Sequence, residues 1–307
     1  MIKKTLYFGN PAYLSLRDGQ LVIRPAETRG TAGSAGGGET VTRPIEDLGV
    51  VVLDHPQLTI TAGAIEALLE NNCAVVTCDR HRLPLGLLLP LYGNTTQNER
   101  FRHQLEASLP LRKQLWQQTV QAKIANQAAV LASCSSAEVQ CMRVWAGAVR
   151  SGDPENLEAR AAAYYWKMLF TDIADFIRDR EGPPPNHLLN YGYAILRAVV
   201  ARALVGSGLH PTLGIHHHNR YNAYCLADDI MEPYRPYVDR LVYGLCQELG
   251  AAVPLDRSVK ARLLAIPTLD VCIGGKRSPL MVAVARTTAT LYKCFAGEMR
   301  RVAYPEL

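Results

Sequence analysis

The segment Gly208–Asp239 reads G-L-H-P-T-L-G-I-H-H-H-N-R-Y-N-A-Y-C-L-A-D-D-I-M-E-P-Y-R-P-Y-V-D and places a histidine run ahead of a carboxylate cluster. On a helix, side chains three or four positions apart share a face, so the carboxylates of this segment are expected to point to one side. Imidazole and carboxylate together form a ligand set for a divalent cation. The segment alone leaves two interpretations open, a metal site or a solvated acidic helix start beside a chance histidine run. The groups concerned are His216, His217, His218, Asp228, Asp229 and Glu232.

Three consecutive histidines cannot all face one site, because neighbouring side chains point in different directions. We therefore expect one of them to ligate and the other two to be structural or to face DNA. Cys225 lies close by in the sequence, but a lone cysteine is more often a small buried side chain than a zinc ligand. Oxygen-rich ligation with one imidazole suits Mg²⁺ or Mn²⁺ better than zinc.

The composition of the 307 residues is that of a soluble globular protein, with 48% hydrophobic and 20% charged residues. No uncharged apolar run reaches the roughly 18 residues that a membrane span needs, so we expect no membrane association. The start, M-I-K-K-T-L-Y-F-G-N, is interrupted too soon for a secretory signal. The eight cysteines include no C-x-x-C pair, and a reducing cytoplasm is the expected location.

Positive charge is concentrated in the later part of the chain. Up to Thr95 there are 8 basic and 9 acidic residues, whereas the remainder holds 25 and 19. A polyanion such as nucleic acid is therefore an expected partner of the later part. The candidate DNA-binding residues lie in the first long helical region of that part, and they are Arg100, Arg102, Arg112, Lys113 and Lys123.

The chain is expected to form two domains, of residues 1–92 and 93–307. The first is rich in short apolar runs separated by turn residues, with Asp18-Gly19 as a strong hairpin signal and Thr61–Glu70 as an amphipathic helix. The glycine-rich stretch Gly30–Glu39 lacks the Gly-Lys-Ser/Thr ending of a phosphate loop, so it is interpreted as a mobile linker.

Helical periodicity dominates the second domain almost to its end. A long helical region is predicted from about Asn98 to Leu131, broken at Pro110. Another helix is predicted to begin at Asp153-Pro154, with an aspartate cap and proline at the first helical position. Gly274-Gly275-Lys276-Arg277 is interpreted as a basic turn between helices.

Glu158 lies on an apolar face of the helix predicted to begin at Asp153-Pro154. Ala162, Tyr165 and Leu169 share that face, and none of them is charged. A carboxylate is costly to bury unless it is paired or bound to a metal. Glu158 is thus a candidate ligand, and the alternative is a glutamate at the edge of the apolar face.

Several segments, in order along most of the chain, resemble the integrase of the CRISPR adaptation module, the family that inserts new spacers, and its type II form in particular. The segment Gly208–Asp239 is one of them, and the last ~50 residues match loosely. The other matching segments are P-I-E-D-L-G-V-V-V-L-D from Pro44, K-I-A-N-Q from Lys123, N-L-E-A-R-A-A-A-Y-Y-W from Asn156 and L-N-Y-G-Y-A-I-L-R-A from Leu189.

The resemblance implies a fold and a set of ligands. The family fold is α+β, with an N-terminal β-sandwich-like dimerisation domain followed by a larger all-α catalytic domain. The family's single Mg²⁺ or Mn²⁺ site implies Glu158, then His217 (three positions after Gly214), then Glu232. Asp229 matches a flanking acidic position and is expected to support the site from outside the ligand set.

The resemblance also implies a reaction and partners. A prespacer 3′-hydroxyl attacks a phosphodiester of the CRISPR repeat, so double-stranded DNA is the substrate of a metal-dependent integrase and endonuclease. The expected assembly is a homodimer, with two dimers bridged by a small ferredoxin-like protein into a heterohexamer, joined in type II systems by the effector nuclease. The alternatives are a stand-alone structure-selective nuclease acting on branched DNA and a non-catalytic DNA-binding subunit.

Overall fold

A computed structural model describes residues 2–26, 39–173 and 176–307. The chain divides into two compact units, Met1–Leu91 and Tyr92–Leu307, and this division lies one residue before the boundary predicted from the sequence. Of the glycine-rich stretch interpreted as a linker, residues 30–38 lie outside the described part of the chain.

The described residues of the first unit form two four-stranded sheets, one α-helix and a short 3-10 helix at Ile45–Asp47. One sheet has the strand order β1-β5-β7-β8 and the other has the order β4-β3-β2-β6. Apolar side chains from both sheets and from the helix share one core, so the unit is sandwich-like as predicted. Its elements are β1 (Lys4–Phe8), β2 (Ala12–Arg17), β3 (Gln20–Pro25), β4 (Val41–Pro44), β5 (Leu48–Leu53), β6 (Leu58–Ile60), α1 (Ala62–Glu70), β7 (Ala74–Cys78) and β8 (Pro84–Leu88).

Local sequence explains these elements. Asp18 and Gly19 both have positive φ, 49° and 69°, and join β2 to β3 as the hairpin signal predicted. Strand β5 pairs in parallel with β1 and β7, and its Val50–Val52 run is fully buried, as expected for a central parallel strand. Helix α1 begins after Thr61, whose side chain accepts a hydrogen bond from the Ala64 N–H.

The second unit is mainly helical, which confirms the predicted order of a β-rich part followed by a larger α-helical part. It also contains a small sheet with the order β10-β9-β11, which the sequence analysis did not predict. Its elements are α2 (Gln97–Leu105), α3 (Leu109–Cys134), α4 (Gln140–Ala148), α5 (Leu157–Leu169), α6 (Asn186–Gly206), α7 (Cys225–Met231), α8 (Arg235–Leu249), α9 (Arg257–Leu263), β9 (Asp270–Ile273), β10 (Lys276–Pro279), α10 (Leu280–Phe295) and β11 (Pro305–Glu306).

The basic turn predicted between helices is a hairpin between strands: Gly274 and Gly275 form its tip, while Lys276 and Arg277 belong to β10. Gly274 and Gly275 both have positive φ, 56° and 72°, the geometry that tight two-residue hairpins need. The sequence analysis missed these strands because β9 and β10 have four residues each and β11 has two. These lengths are too short for a period-two pattern to be recognised.

Two helix starts differ from the prediction. The interruption of the first long helical region lies between Leu105 and Leu109, and Pro110 stands in the first turn of α3. Proline is tolerated there because its missing N–H has no intrahelical partner in any case. Helix α5 begins at Leu157 rather than at Asp153-Pro154. The local cause is that Asn156, directly before Leu157, has positive φ, 51°, so a helix that began at Pro154 could not pass through it.

Helix α6 has 21 residues, and by length and composition alone it could cross a membrane. However, 78% of its most apolar window is buried inside the protein. That burial is the pattern of a core helix.

Candidate active site

Two of the predicted ligands meet at one lysine. The Lys123 ammonium on α3 donates a hydrogen bond to Glu158 Oε1 on α5 and lies 2.6 Å from Glu232 Oε2, just after α7. The Arg235 guanidinium lies 3.1 Å from the other Glu232 oxygen. The side chains of Lys123 and Glu232 are 8% and 4% exposed, against 26% for Glu158. The cluster is therefore closed on the Glu232 side and open at Glu158.

Glu158 is positioned by the first turn of α5. The Asp153 carboxylate accepts hydrogen bonds from the backbone N–H groups of Leu157 and Glu158, both at 2.9 Å. Asp153 therefore caps the helix from outside it, a role related to the cap predicted from the sequence. Tyr165 and Leu169, on the Glu158 face, are buried, so that face is directed inward as expected.

Charge pairing keeps the buried groups of the cluster ionised. Burial alone would raise the pKa of Glu232, but Arg235 and Lys123 outweigh it and lower that pKa below its ordinary value. Burial alone would likewise lower the pKa of Lys123, but Glu232 and Glu158 raise it. The cluster is thus a set of opposed charges near neutral pH.

Asp229 organises the loop that carries the histidines. It is fully buried, and its two oxygens accept the backbone N–H groups of Ile215, His216 and His217 at 2.7, 3.0 and 3.1 Å. The His217 ring nitrogen Nδ1 lies 2.6 Å from Asp229 Oδ1. This hydrogen bond raises the pKa of His217 against the opposing effect of burial. Because Asp229 binds Nδ1, Nε2 is the nitrogen that remains to ligate a metal ion.

The glycine three positions before His217 has a steric reason. A Cβ atom at Gly214 would lie 2.1 Å from the His217 carbonyl oxygen and 2.9 Å from Asp229 Oδ2. Any side chain there would push apart the carboxylate and the loop that it holds.

The other two histidines have different environments. His216 stacks on Trp116, with ring centroids 4.0 Å apart and planes within 1°. His218 Nδ1 makes a hydrogen bond with the His216 carbonyl oxygen. Trp116 also meets His217 edge to face at 5.7 Å. The three rings therefore point in different directions, as expected from their adjacency.

The three carboxylates at the end of the segment do not form one cluster. Arg197 binds Asp228 with two hydrogen bonds of 2.7 and 3.1 Å, and the Asn222 amide donates a third at 2.7 Å. Asp228 thus anchors α7 to α6, Asp229 holds the histidine loop, and Glu232 meets Lys123. Helical spacing predicted that the three carboxylates lie near one another, but it did not predict that each one binds different residues.

The candidate ligands fit a hard divalent cation in chemistry, although Lys123 stands between two of them. In residues 2–26, 39–173 and 176–307, no three histidine, cysteine or carboxylate side chains lie together closely enough to hold a metal ion as placed. Glu232 Oε2 is buried, and its contact with Lys123 lacks the angles of a hydrogen bond. Two carboxylate oxygens and an oriented imidazole are the donors that suit Mg²⁺ or Mn²⁺. Burial raises the pKa of the Cys225 thiol.

A family model described as CRISPR associated protein Cas1 matches residues 6–251. This chain belongs to the Cas1 family. It is 35% identical over 291 residues to the CRISPR-associated endonuclease Cas1 of Neisseria meningitidis serogroup C (strain 8013), covering 94% of this chain and 91% of that protein. The family resemblance inferred from the motifs is confirmed.

Two solved structures show the same fold at low identity. A casposase bound to integration product has a TM-score of 0.77 at 18% identity, covering 98% of this chain and 92% of that one. A Cas6-RT-Cas1–Cas2 complex has a TM-score of 0.71 at 19% identity, covering 97% of this chain and 35% of that one.

The predicted DNA-binding residues of this Cas1 family member differ in their surroundings. Arg102, Arg112 and Lys113 are exposed. Arg100 instead lies over the Tyr292 ring at 4.0 Å and binds the Ser207 carbonyl oxygen at 2.9 Å. Lys123 is buried between the two glutamates, so its assignment to a DNA-facing surface is corrected.

A cleft of about 350 Å³ lies beside His217, and its lining includes two arginines, Arg112 and Arg220. Sequence reasoning selected Arg112 but missed Arg220, which follows the histidine run by two positions. It also missed Arg235, although its spacing of three residues from Glu232 is a signal for pairing. Trp116, the platform for His216, had no local signal in the sequence.

Proposed function

We propose that this Cas1 family member is a metal-dependent DNA integrase and endonuclease that inserts new spacers into a CRISPR array. The observation that carries this proposal is that Glu158 and Glu232 both contact the buried Lys123 ammonium, in the same unit in which Asp229 fixes the His217 ring. Its relative from Neisseria is described as an endonuclease, and the casposase of the same fold as bound to an integration product.

Glu158, Glu232 and His217 Nε2 would hold the Mg²⁺ or Mn²⁺ ion. When bound, the ion supplies Lewis-acid polarisation of the phosphoryl oxygen and stabilisation of the leaving 3′-oxygen. Asp229 keeps the proton of His217 on Nδ1 and fixes the orientation of the ring. Since the attacking 3′-hydroxyl belongs to the prespacer, the protein needs no covalent nucleophile of its own.

The test is to separate joining from cutting. An end-labelled prespacer duplex is incubated with a repeat-containing target and Mn²⁺, with EDTA as the metal-free control. The proposal expects a branched product that carries prespacer label on the target strand. Cleavage without joining would favour the structure-selective nuclease acting on branched DNA. Equal binding with and without metal and no product at all would favour the non-catalytic DNA-binding subunit.

DNA affinity should depend steeply on salt, because basic side chains of the second unit would neutralise phosphates. Replacing both Arg112 and Lys113 by alanine should lower the slope of log affinity against log salt by about 1.8, the value for two lost phosphate contacts. Filter binding across a salt series measures the slope. The matched control is Arg17→Ala with Arg43→Ala, two exposed arginines of the first unit. An unchanged slope in the Arg112 and Lys113 variant would place the DNA surface elsewhere.

We propose that the protein is a homodimer whose interface lies mainly within residues 1–90. Strand β8 is an edge of its sheet, and Leu85 on it is 78% exposed. Exposed apolar side chains on a sheet edge favour association. Leu85→Lys should therefore shift the mass measured by light scattering from dimer to monomer. Val144→Lys on α4, at a residue 59% exposed, should leave the dimer intact; a dimeric Leu85→Lys variant would exclude this edge.

The wider assembly is proposed from the family. Two dimers would be bridged by a small ferredoxin-like partner into a heterohexamer in the cytoplasm, joined in a type II system by the effector nuclease. The Cas6-RT-Cas1–Cas2 complex of the same fold supports a small adaptation partner, since its description names Cas2 beside Cas1.

A further inference from the structure

Lys123 occupies the position where the two candidate carboxylate ligands converge. Its ammonium bonds to Glu158 Oε1 and lies 2.6 Å from Glu232 Oε2. A lysine with an 8% exposed side chain, enclosed between two acids, is not acting as a surface charge. Its contacts are those of a counter-ion for the pair.

The local charges balance without any added ion. Glu158 and Glu232 contribute two negative charges, while Lys123 and Arg235 contribute two positive ones. A divalent cation added to this set would leave an excess of two positive charges in a largely buried place. That excess is costly in free energy unless one of the basic side chains moves out of the cluster. Binding of the ion therefore favours release of one of the two basic groups.

Lys123 is the basic group that can leave. Arg235 contacts the other oxygen of Glu232, and its guanidinium also lies 5.0 Å from the centroid of the Tyr193 ring, which fixes it in place. Lysine carries a compact charge on a flexible four-carbon stem, whereas a guanidinium is a rigid planar group. Among the described residues, only the Lys123 ammonium contacts the carboxylates from both α5 and the segment after α7.

We propose that Lys123 is the internal counter-ion of the metal site. It holds Glu158 and Glu232 together when no divalent cation is present, and the cation binds by displacing its ammonium from them. This inference rests on the proposed function, since it takes the same two carboxylates as ligands. Lys123 is thus a positioning residue that sets how tightly the resting protein binds its metal.

The test measures Mn²⁺ binding to the full-length protein without DNA, by titration calorimetry. Lys123→Met keeps the length of the side chain and removes its charge, so the Kd for Mn²⁺ should fall about tenfold, the value of one charge-assisted contact. The melting temperature without metal should drop by about 5 °C and recover at saturating Mn²⁺. Lys167→Met, at an exposed lysine of α5, should change neither quantity.

A second variant covers the case in which Lys123→Met does not fold. Lys123→Arg retains the positive charge and can bind carboxylates with two parallel hydrogen bonds, so Mn²⁺ should bind at least about threefold more weakly than to the wild type. A merely structural lysine would not move affinity in opposite directions in the two variants. Unchanged affinity in both would overturn the counter-ion role.

Variants of the two glutamates distinguish a wrong metal site from a wrong counter-ion role of Lys123. In the wild-type background, Glu158→Gln and Glu232→Gln should each abolish tight Mn²⁺ binding. If they do and the Lys123 variants bind like the wild type, the counter-ion inference is wrong while the proposed metal site stands. If Mn²⁺ binds equally well without either glutamate, both proposals are overturned.

Discussion

Glu232→Gln is expected to lower the rate of strand joining at least about a thousandfold, because the carboxylate charge that would hold the cation is lost while the shape of the side chain is kept. A bound divalent ion contributes several kcal/mol to transition-state stabilisation, and about 4 kcal/mol corresponds to a thousandfold change in rate. Glu158→Gln should have an effect of similar size. The measurement is the initial rate of Mn²⁺-dependent joining under single-turnover conditions.

The same substitution separates chemistry from binding. Metal-free DNA affinity should be retained or rise slightly in Glu232→Gln, because one negative charge near the phosphates is removed. Stability should fall by about 1–3 kcal/mol, since buried Lys123 and partly exposed Arg235 both lose a charged partner. The matched control is Glu155→Gln, at an exposed glutamate paired with Arg150 ahead of α5, which should join at the wild-type rate. A Glu232→Gln variant that retained a tenth of the wild-type rate would contradict the ligand assignment.

Local patterns predicted the parts of the site that depend on local structure. The apolar face around Glu158 was readable because helical periodicity alone determines which side of a helix faces inward. The role of Gly214 entered through the family resemblance, and the structure adds its reason, since a Cβ there would collide with the His217 carbonyl oxygen. The hairpin at Asp18-Gly19 was predictable because only a few residues tolerate positive φ.

The partners of the carboxylates could not be predicted, because they come from distant parts of the chain. Asp228 lies 31 positions from Arg197, and Lys123 is 35 positions from Glu158. A lysine in a helix is usually solvated, so Lys123 was assigned to the DNA-facing surface. Sequence spacing predicts which residues share a face of a helix. Which charged side chains of other elements lie against that face depends on tertiary packing.

We expect His217 to be the imidazole ligand. His217→Ala should therefore reduce the rate of joining at least about a hundredfold. Loss of a residue that only orients a metal ligand costs about 10–100-fold, and loss of the ligand itself should cost more. His218→Ala should retain most of the activity. His216→Ala should do so as well, although it loses the stacking on Trp116, worth about 1 kcal/mol of stability. Joining assays on the three alanine variants with Mn²⁺ make this comparison. An active His217→Ala beside an inactive neighbour would move the ligand by one position.

Proton competition provides a second test of His217. The ring can ligate only when Nε2 is deprotonated, and Asp229 raises the pKa of His217 above its ordinary value of about 6.5. At limiting Mn²⁺, joining should therefore decline as the pH falls, and the decline should begin above pH 6.5. More Mn²⁺ should restore the rate, because the ion and the proton compete for one nitrogen.

Asp229→Asn should move the decline to lower pH while lowering the maximal rate about 10–100-fold through loss of ring orientation. A pH profile that neither Mn²⁺ concentration nor Asp229→Asn shifts would exclude His217 as the titrating ligand.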